Sequence, residues 1–319
     1  MLNCYKFKLR MSTNNNLKVW LAQIRAPFLI LAVLLVAIGV SLSYKYIPAN
    51  ESISIMHIVL LVLGAVASHI SVNLFNEYSD YSTKIDFSTQ RTPFSGGSGM
   101  LVSGFTKPNQ VLTVAIATLV ISAAVGLYLA LVSHMLILVF ALIGGITIVA
   151  YTKVLTKFAL GELFSGLTLG SLMVIGSYIA LTATPGMPIA NVIPTEVWWI
   201  SIPAGILTSL LLLINELPDL EADTAGGRRH IVVLFGRKVA AWVYATGMIL
   251  TFGSIIAMPL LGITSYWVYI ALLPIPLAIK ASVTAVQNGD DIKQMVPALG
   301  SNVVVVLATD FLLALSLIF

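Results

Sequence analysis

Apolar residues run along this chain in blocks of about 20 with little polar interruption, the pattern of helices that cross a bilayer. Nine blocks can be drawn, at 26–44, 54–76, 109–132, 134–152, 159–183, 195–216, 238–260, 264–284 and 296–317. Only Ser133-His134 separates the third from the fourth, so these two form a tight hairpin. The pattern predicts an all-α polytopic membrane protein with nine transmembrane helices. Residues 1–18 form a polar, basic tail, and 19–319 form one transmembrane domain. The first block lacks a small-residue cleavage site and reads as a retained helix; Met11 offers a second possible start.

Composition agrees. The chain has 319 residues, 58% hydrophobic and 9% charged, against roughly 25% charged in a soluble domain. A soluble fold so poor in charge could not cover its own surface. The net charge of +4 would point to nucleic acid in a soluble protein; here it reads as basic loops on one side of a membrane, with no nucleic-acid partner. With the N-terminus in the cytoplasm, strict alternation puts 16 of the 17 basic residues inside and only Lys45 outside. That split supports nine helices, with the C-terminus outside. Cys4 is the single cysteine, so no disulfide forms within the chain.

The polar residues that remain are not scattered. The second block ends in Asn76-Glu77-Tyr78-Ser79-Asp80 and the sixth in Asn215-Glu216-Leu217-Pro218-Asp219. Both blocks run from outside to inside, four helices apart, so the motifs share one face of the membrane. The echo fits two pseudo-repeats of about four helices plus a last helix. Each motif sets an Asn and an Asp at i and i+4 on one helix face, then adds acids: Asp86 after the first, Glu221 and Asp223 after the second. Carboxylates gathered at a membrane edge repel each other unless something positive lies between them. Hard oxygen ligands of this kind suit Mg²⁺, which is held by one or two carboxylates plus phosphate oxygens. Two such patches face to face predict two ions bridging a diphosphate. Arg91, Arg228, Arg229, Lys153 and Lys157 lie where they can complete a diphosphate cage. The run SGGSG at 95–99 can bring backbone amides to a phosphate. Arg25, before Pro27, reads as a membrane-edge anchor, and Asp310, inside the last block, as a hydrogen-bonded structural acid or one close to the outer surface.

At these residues the chain resembles the UbiA superfamily of intramembrane prenyltransferases. Asn76 and Asp80 match the start of that family's N-x-x-x-D-x-x-x-D motif, but position 84 is Lys. The next acid is Asp86, a spacing similar to the menaquinone branch, the 1,4-dihydroxy-2-naphthoate polyprenyltransferases. Asn76, Tyr78, Asp80, Asp86, Arg91, Pro93 and Gly99 follow that branch's order, with Glu77 where an Asp is usual. Asn215, Asp219 and Asp223, followed by GGRRHIVVLFG, look like its second motif, and Tyr151-Thr152 like its tyrosine-led inner loop.

The resemblance implies a polyprenyl diphosphate donor, a small aromatic acceptor and Mg²⁺. The expected metal ligands are Asp80, Asp219 and Asp223, supported by Asn76, Asn215 and Asp86. Arg91 and one of Arg228 or Arg229 are expected to hold the diphosphate. Tyr151, Lys153 and Lys157 are further candidates for that contact. Glu162 and Tyr151 are candidates for a base. The site faces the cytoplasm from the cell membrane, with lipid around the bundle. Acceptors other than naphthoate (hydroxybenzoate, homogentisate, a lipid alcohol) stay open. A rival class, a cation-coupled transporter, would need ionisable groups near the midplane; here they gather at one surface.

Overall fold

The computed structural model describes residues 16–47, 52–151, 154–289 and 291–319. Every regular element among them is helical. A short helix, Asn16–Gln23, leads through a 3₁₀ turn into α1 (Ile30–Ser43). Then come α2 (Ile55–Ser82), α3 (Pro108–Val132), α4 (Leu136–Ala150), α5 (Gly161–Thr182), α6 (Thr195–Glu216), α7 (Ile231–Leu260), α8 (Tyr266–Leu272 with Ile275–Asn288) and α9 (Ile292–Ser316).

Seven of these segments, α1 with its 3₁₀ turn included, are long and apolar enough to cross a membrane, and α8 is an eighth if its two pieces, bent by 41°, count as one span. The apolar helix α4 has 15 residues, about 22 Å at 1.5 Å per residue. That falls short of a hydrocarbon core of roughly 30 Å.

Local chemistry sets the ends. Ser54 caps α2, accepting from the His57 amide at 3.3 Å. Pro108 opens α3, where a missing N–H costs nothing. Asp291 caps α9 through the Lys293 amide at 2.9 Å. The sequence block at 54–76 stops short of the real helix: α2 continues to Ser82, so Asn76 and Asp80 sit on regular helix rather than past its end. It stops where Lys84 turns left-handed (φ 65). α7 begins earlier than its apolar block and breaks at Gly236 (φ 79), so a short turn precedes the long apolar run.

The most buried span is α6, with 61% of its apolar window inside the protein. It packs on α5, α7 and α9. Close approach depends on small residues. The π-helical stretch Gly166–Ser171 lays α5 against Gly205 of α6, and a Cβ on Gly170 would sit 2.6 Å from the Gly205 Cα. At the far end from the acidic motifs, Lys45 and Tyr46 reach Glu196 at 2.6 and 2.9 Å, tying α1 to the start of α6. Lys45, the one basic residue outside the positive-inside split, thus has a partner. Asp310 is fully buried in α9, and neither of its carboxylate oxygens has a hydrogen bond among the described residues.

The α5–α6 contact gives a stability prediction. Gly170→Val forces a side chain into the α6 backbone and should cost about 1–3 kcal/mol. Gly144→Ala meets nothing within 4 Å and should leave the thermal midpoint in detergent unchanged. A Gly170→Val protein melting with the wild type would refute the close packing.

Candidate active site

α2 and α6 run in the same direction, and their motif-bearing ends converge on one pocket. Asn76, Asp80, Asp86, Asn215, Asp219 and Asp223 all line it. Arg228 joins the two halves. Its guanidinium donates to Asn76 Oδ1 at 3.1 Å and to Asp80 Oδ1, and forms an ion pair with Asp223 Oδ1 at 3.1 Å. Burial opposes its charge, but Asp80 and Asp223 outweigh that and hold the guanidinium above its ordinary range.

Glycines close the pocket from the first loop. Gly96, Gly97 and Gly99 take φ of 83, 70 and 73, the left-handed region glycine favours. A Cβ on Gly97 would lie 2.8 Å from Asp86 Oδ1. Two amides of the SGGSG run are spent on acids of both motifs: Gly96 donates to Asp219 Oδ2 at 3.2 Å and Ser98 to Glu77 Oε2 at 3.3 Å. The loop clasps protein carboxylates, where a phosphate was the expected partner.

The two Glu residues of the paired motifs part company. Glu77 turns away from the pocket, taking Gln23 Nε2 at 2.8 Å and the Ser98 hydroxyl. Gln23 in turn accepts from Thr106 at 2.7 Å, so Glu77 fastens the N-terminal helix and the glycine loop to α2. Glu216 lines the pocket and faces His230 Nδ1 at 3.5 Å. His230 Nε2 meets Asp223 Oδ2 at 2.9 Å, and Glu162 accepts from the Ile231 amide at 2.8 Å.

The expected cations divide. Arg228 is in the pocket. Arg229, Lys157 and Arg91 are exposed and outside its lining. Arg91 instead donates to the Asp86 carbonyl at 2.7 Å, bracing the loop, and the Arg229 amide donates to the Thr156 carbonyl at 2.7 Å. Lys153 and Thr152 lie outside the described residues, as do Cys4 and Met11. Arg25, expected at the membrane edge, lines the pocket, and holds a left-handed backbone (φ 53) that favours glycine. Tyr151 lines it too; Glu162 lies behind it. The sequence carried no signal for the inward turn of Arg25. For His230 it did: a histidine seven residues after Asp223, in a loop already marked as acidic.

Five carboxylates and two arginines line the pocket. The balance calls for further positive charge. Asp86 Oδ2, Asn215 Oδ1 and Asp219 Oδ1 are buried and make no hydrogen bond among the described residues. Burial first, then the charges of Asp80 and Glu77, pushes Asp86 up to about 7. Burial first, then Asp223, pushes Asp219 up to about 7 as well. Oxygen donors with free lone pairs and no sulfur are the set that Mg²⁺ takes, so the residues fit that ion.

Beyond the pocket lies an apolar route. Arg25, Asn76, Phe94, Tyr151, Leu212 and Asn215 also line a cavity between α2 and α6 that contains His69 and Asn73. Ile148, Thr168 and Leu169 lead from that cavity into a long apolar groove among α2, α3, α4 and α5.

A helical membrane bundle with a buried, cation-seeking acid pocket opening onto an apolar groove is the class of protein that fold and site define. The chain belongs to the UbiA prenyltransferase family, whose profile matches residues 32–299, and it is a transferase. It is 27% identical over 262 residues to a 1,4-dihydroxy-2-naphthoate octaprenyltransferase of Bacillus subtilis, covering 79% of this chain and 77% of that one. It is 26% identical over 312 residues to the protein of that name in Escherichia coli, covering 94% and 95%. Among solved structures it resembles a UbiA homologue from Aeropyrum pernix (TM-score 0.61, 18% identity, 88% of this chain and 98% of that one). It also resembles one from Archaeoglobus fulgidus bound to DMAPP and Mg²⁺ (TM-score 0.54, 16% identity, 92% and 98%). These likenesses show the fold.

The raised carboxyls predict a pH dependence. The folded, metal-free protein holds protons on Asp86 and Asp219 that the unfolded chain releases above the ordinary value of 3.8. Its stability therefore falls as pH rises from about 4 to about 7. Mg²⁺ needs the ionised forms, so the stabilisation it gives should grow over the same range. Thermal melts with Mg²⁺ or chelator at pH 5, 6, 7 and 8 check this; a Mg²⁺ effect larger at pH 5 than at pH 8 contradicts it.

Proposed function

We propose that this protein transfers a polyprenyl group from its diphosphate to 1,4-dihydroxy-2-naphthoate, in an Mg²⁺-dependent step of quinone biosynthesis. The observation that carries the reading is the continuity of the acid pocket, the polar-edged cavity and the apolar groove. That sequence of surroundings matches a diphosphate head, a reacting allylic carbon and a long hydrocarbon tail. The acceptor assignment rests on the named relatives and on the Asp80-to-Asp86 spacing.

The nine apolar segments would all span, with α4 lengthened by its flanks or the bilayer thinned around it, and the positive-inside split would put the acid pocket on the cytoplasmic side. Asn76, Asp80 and Asp86 on one side, and Asn215, Asp219 and Asp223 on the other, would hold two Mg²⁺ ions. Bound there, Mg²⁺ supplies charge neutralisation of the leaving diphosphate. Arg228 lies between the acid patches and would exchange carboxylate for diphosphate oxygens, stabilising charge as the carbon–oxygen bond breaks. The departing group takes the bonding pair and leaves an allylic cation. The apolar walls keep water from that cation. The acceptor ring attacks it, forming the carbon–carbon bond, and the ring regains aromaticity by losing carbon dioxide from its carboxylated carbon. Tyr151, lining both the pocket and the cavity, is better placed than Glu162 to handle any proton.

Asp80→Ala and Asp219→Ala should each lower prenyl transfer by at least about 10²-fold while the protein still inserts and folds. Arg228→Gln should fall nearly as far, and Arg91→Ala much less. Wild-type turnover in Asp219→Ala, assayed on purified protein by product mass, would overturn the reading. A Gly145→Phe side chain would enter open space in the groove. It should shift donor preference toward shorter prenyl chains at unchanged acceptor KM; an unaltered chain-length profile would remove the groove from the tail's path.

A further inference from the structure

Glu162, Glu216 and His230 come from three separate elements: the first turn of α5, the end of α6 and the N-cap of α7. All three are buried, at 2%, 5% and 0% exposure. Each offers one donor atom, and those atoms lie within 4.8 Å of one another. Glu162 Oε2, Glu216 Oε2 and His230 Nδ1 make no hydrogen bond among the described residues. The opposite atom of two of them is anchored. Glu162 Oε1 accepts from the Ile231 amide at 2.8 Å, and His230 Nε2 meets Asp223 Oδ2 at 2.9 Å. A carboxylate on the far nitrogen of a histidine whose near nitrogen is free is the arrangement that orients a metal-binding imidazole.

We propose that Glu162, Glu216 and His230 form a second, buried cation site, adjoining the Mg²⁺ pocket through Glu216 and suited to a divalent ion of the Zn²⁺ class. The imidazole decides the class: nitrogen with two carboxylates suits Zn²⁺, whereas Mg²⁺ prefers oxygen and keeps its waters. Tetrahedral donors about 2.1 Å from one ion lie about 3.4 Å apart; His230 Nδ1 and Glu216 Oε2 are already at 3.5 Å, and the rest of the set, within 4.8 Å, closes by side-chain shifts of about an ångström. Without an ion, the buried carboxyls of Glu162 and Glu216 lie close together, with His230 beside Glu216 and Asp223 behind the imidazole. The ion would pin the loop 217–230, which carries Asp219 and Asp223, to the ends of α5 and α6. Asp223 would couple the sites, since it holds His230 through one oxygen and Arg228 through the other.

The competing occupant is a proton shared among the same groups, and metal analysis separates the two. Tag-free, full-length protein is equilibrated with Zn²⁺ in the presence of excess Mg²⁺, then washed and assayed for metal. One Zn²⁺ retained per chain is expected, with an X-ray absorption spectrum showing one imidazole and oxygen ligands at about 2.0–2.2 Å. His230→Gln should bind Zn²⁺ at least tenfold more weakly. If that variant does not fold, the wild-type stoichiometry and spectrum decide alone. Loss of Zn²⁺ to excess Mg²⁺, a spectrum without imidazole, or undiminished binding by folded His230→Gln would each overturn the proposal.

Discussion

Arg228 carries the charge balance on which the rest of the site depends. It holds Asp80 and Asn76 from one motif and Asp223 from the other, residues more than 140 positions apart, at the end of an apolar bundle. Remove that cation and the carboxylates of α2 face those of the 217–230 loop with Arg25 as the remaining basic residue of the pocket lining among the described residues. Buried charges of one sign are among the costliest features a fold can carry. The helices are free to pack by apolar contact along their length because one guanidinium, and the cations the pocket seeks, settle the repulsion at their ends.

Much of this was legible in the sequence because membrane burial leaves strong signals. A run such as 195–216 is too apolar to be anything but a buried or spanning helix, and α6 begins and ends at those numbers. The pairing of Asn76–Asp80 with Asn215–Asp219 was legible because acids are rare enough here that their grouping stands out. Side-chain direction was not. Glu77 and Glu216 hold the same place in the two motifs, yet one ties down a loop and the other lines the pocket. The difference arises from partners 54 and 21 residues away for Glu77, at Gln23 and Ser98, which no local pattern encodes. Arg91 and Arg229 were plausible ligands by position but lie outside the pocket lining. The shortness of α4 and the bend in α8 were equally hidden, since hydropathy records an apolar stretch and not where its hydrogen-bond ladder stops.

The two motifs are therefore not interchangeable halves of a symmetric clamp. The first is stiffened from outside: Glu77 binds Gln23 and Ser98, Gln23 holds Thr106, and Gly97 presses on Asp86 with no room for a Cβ. The second is braced from inside, through Asp223, His230 and the Ile231 amide on Glu162. The Gly96 amide on Asp219 and the guanidinium of Arg228 cross between them. Both links end on carboxylates that a bound cation would also engage.

Under the proposed function, the exchange of partners on binding falls on these side chains. On that reading, Arg228 would loosen Asp80 or Asp223 to hold a diphosphate, and Asp219 would share its oxygens with something other than Gly96. Each exchange replaces one charge-assisted bond with another, so the cost of opening falls when a cation arrives and rises when it leaves. The groove and cavity need no such exchange, since their walls make no polar contact with a hydrocarbon tail. A prenyl donor would then be captured in two unlike ways at once. Its tail would be held by area and its head by charge, with the scissile bond falling where the one environment gives way to the other.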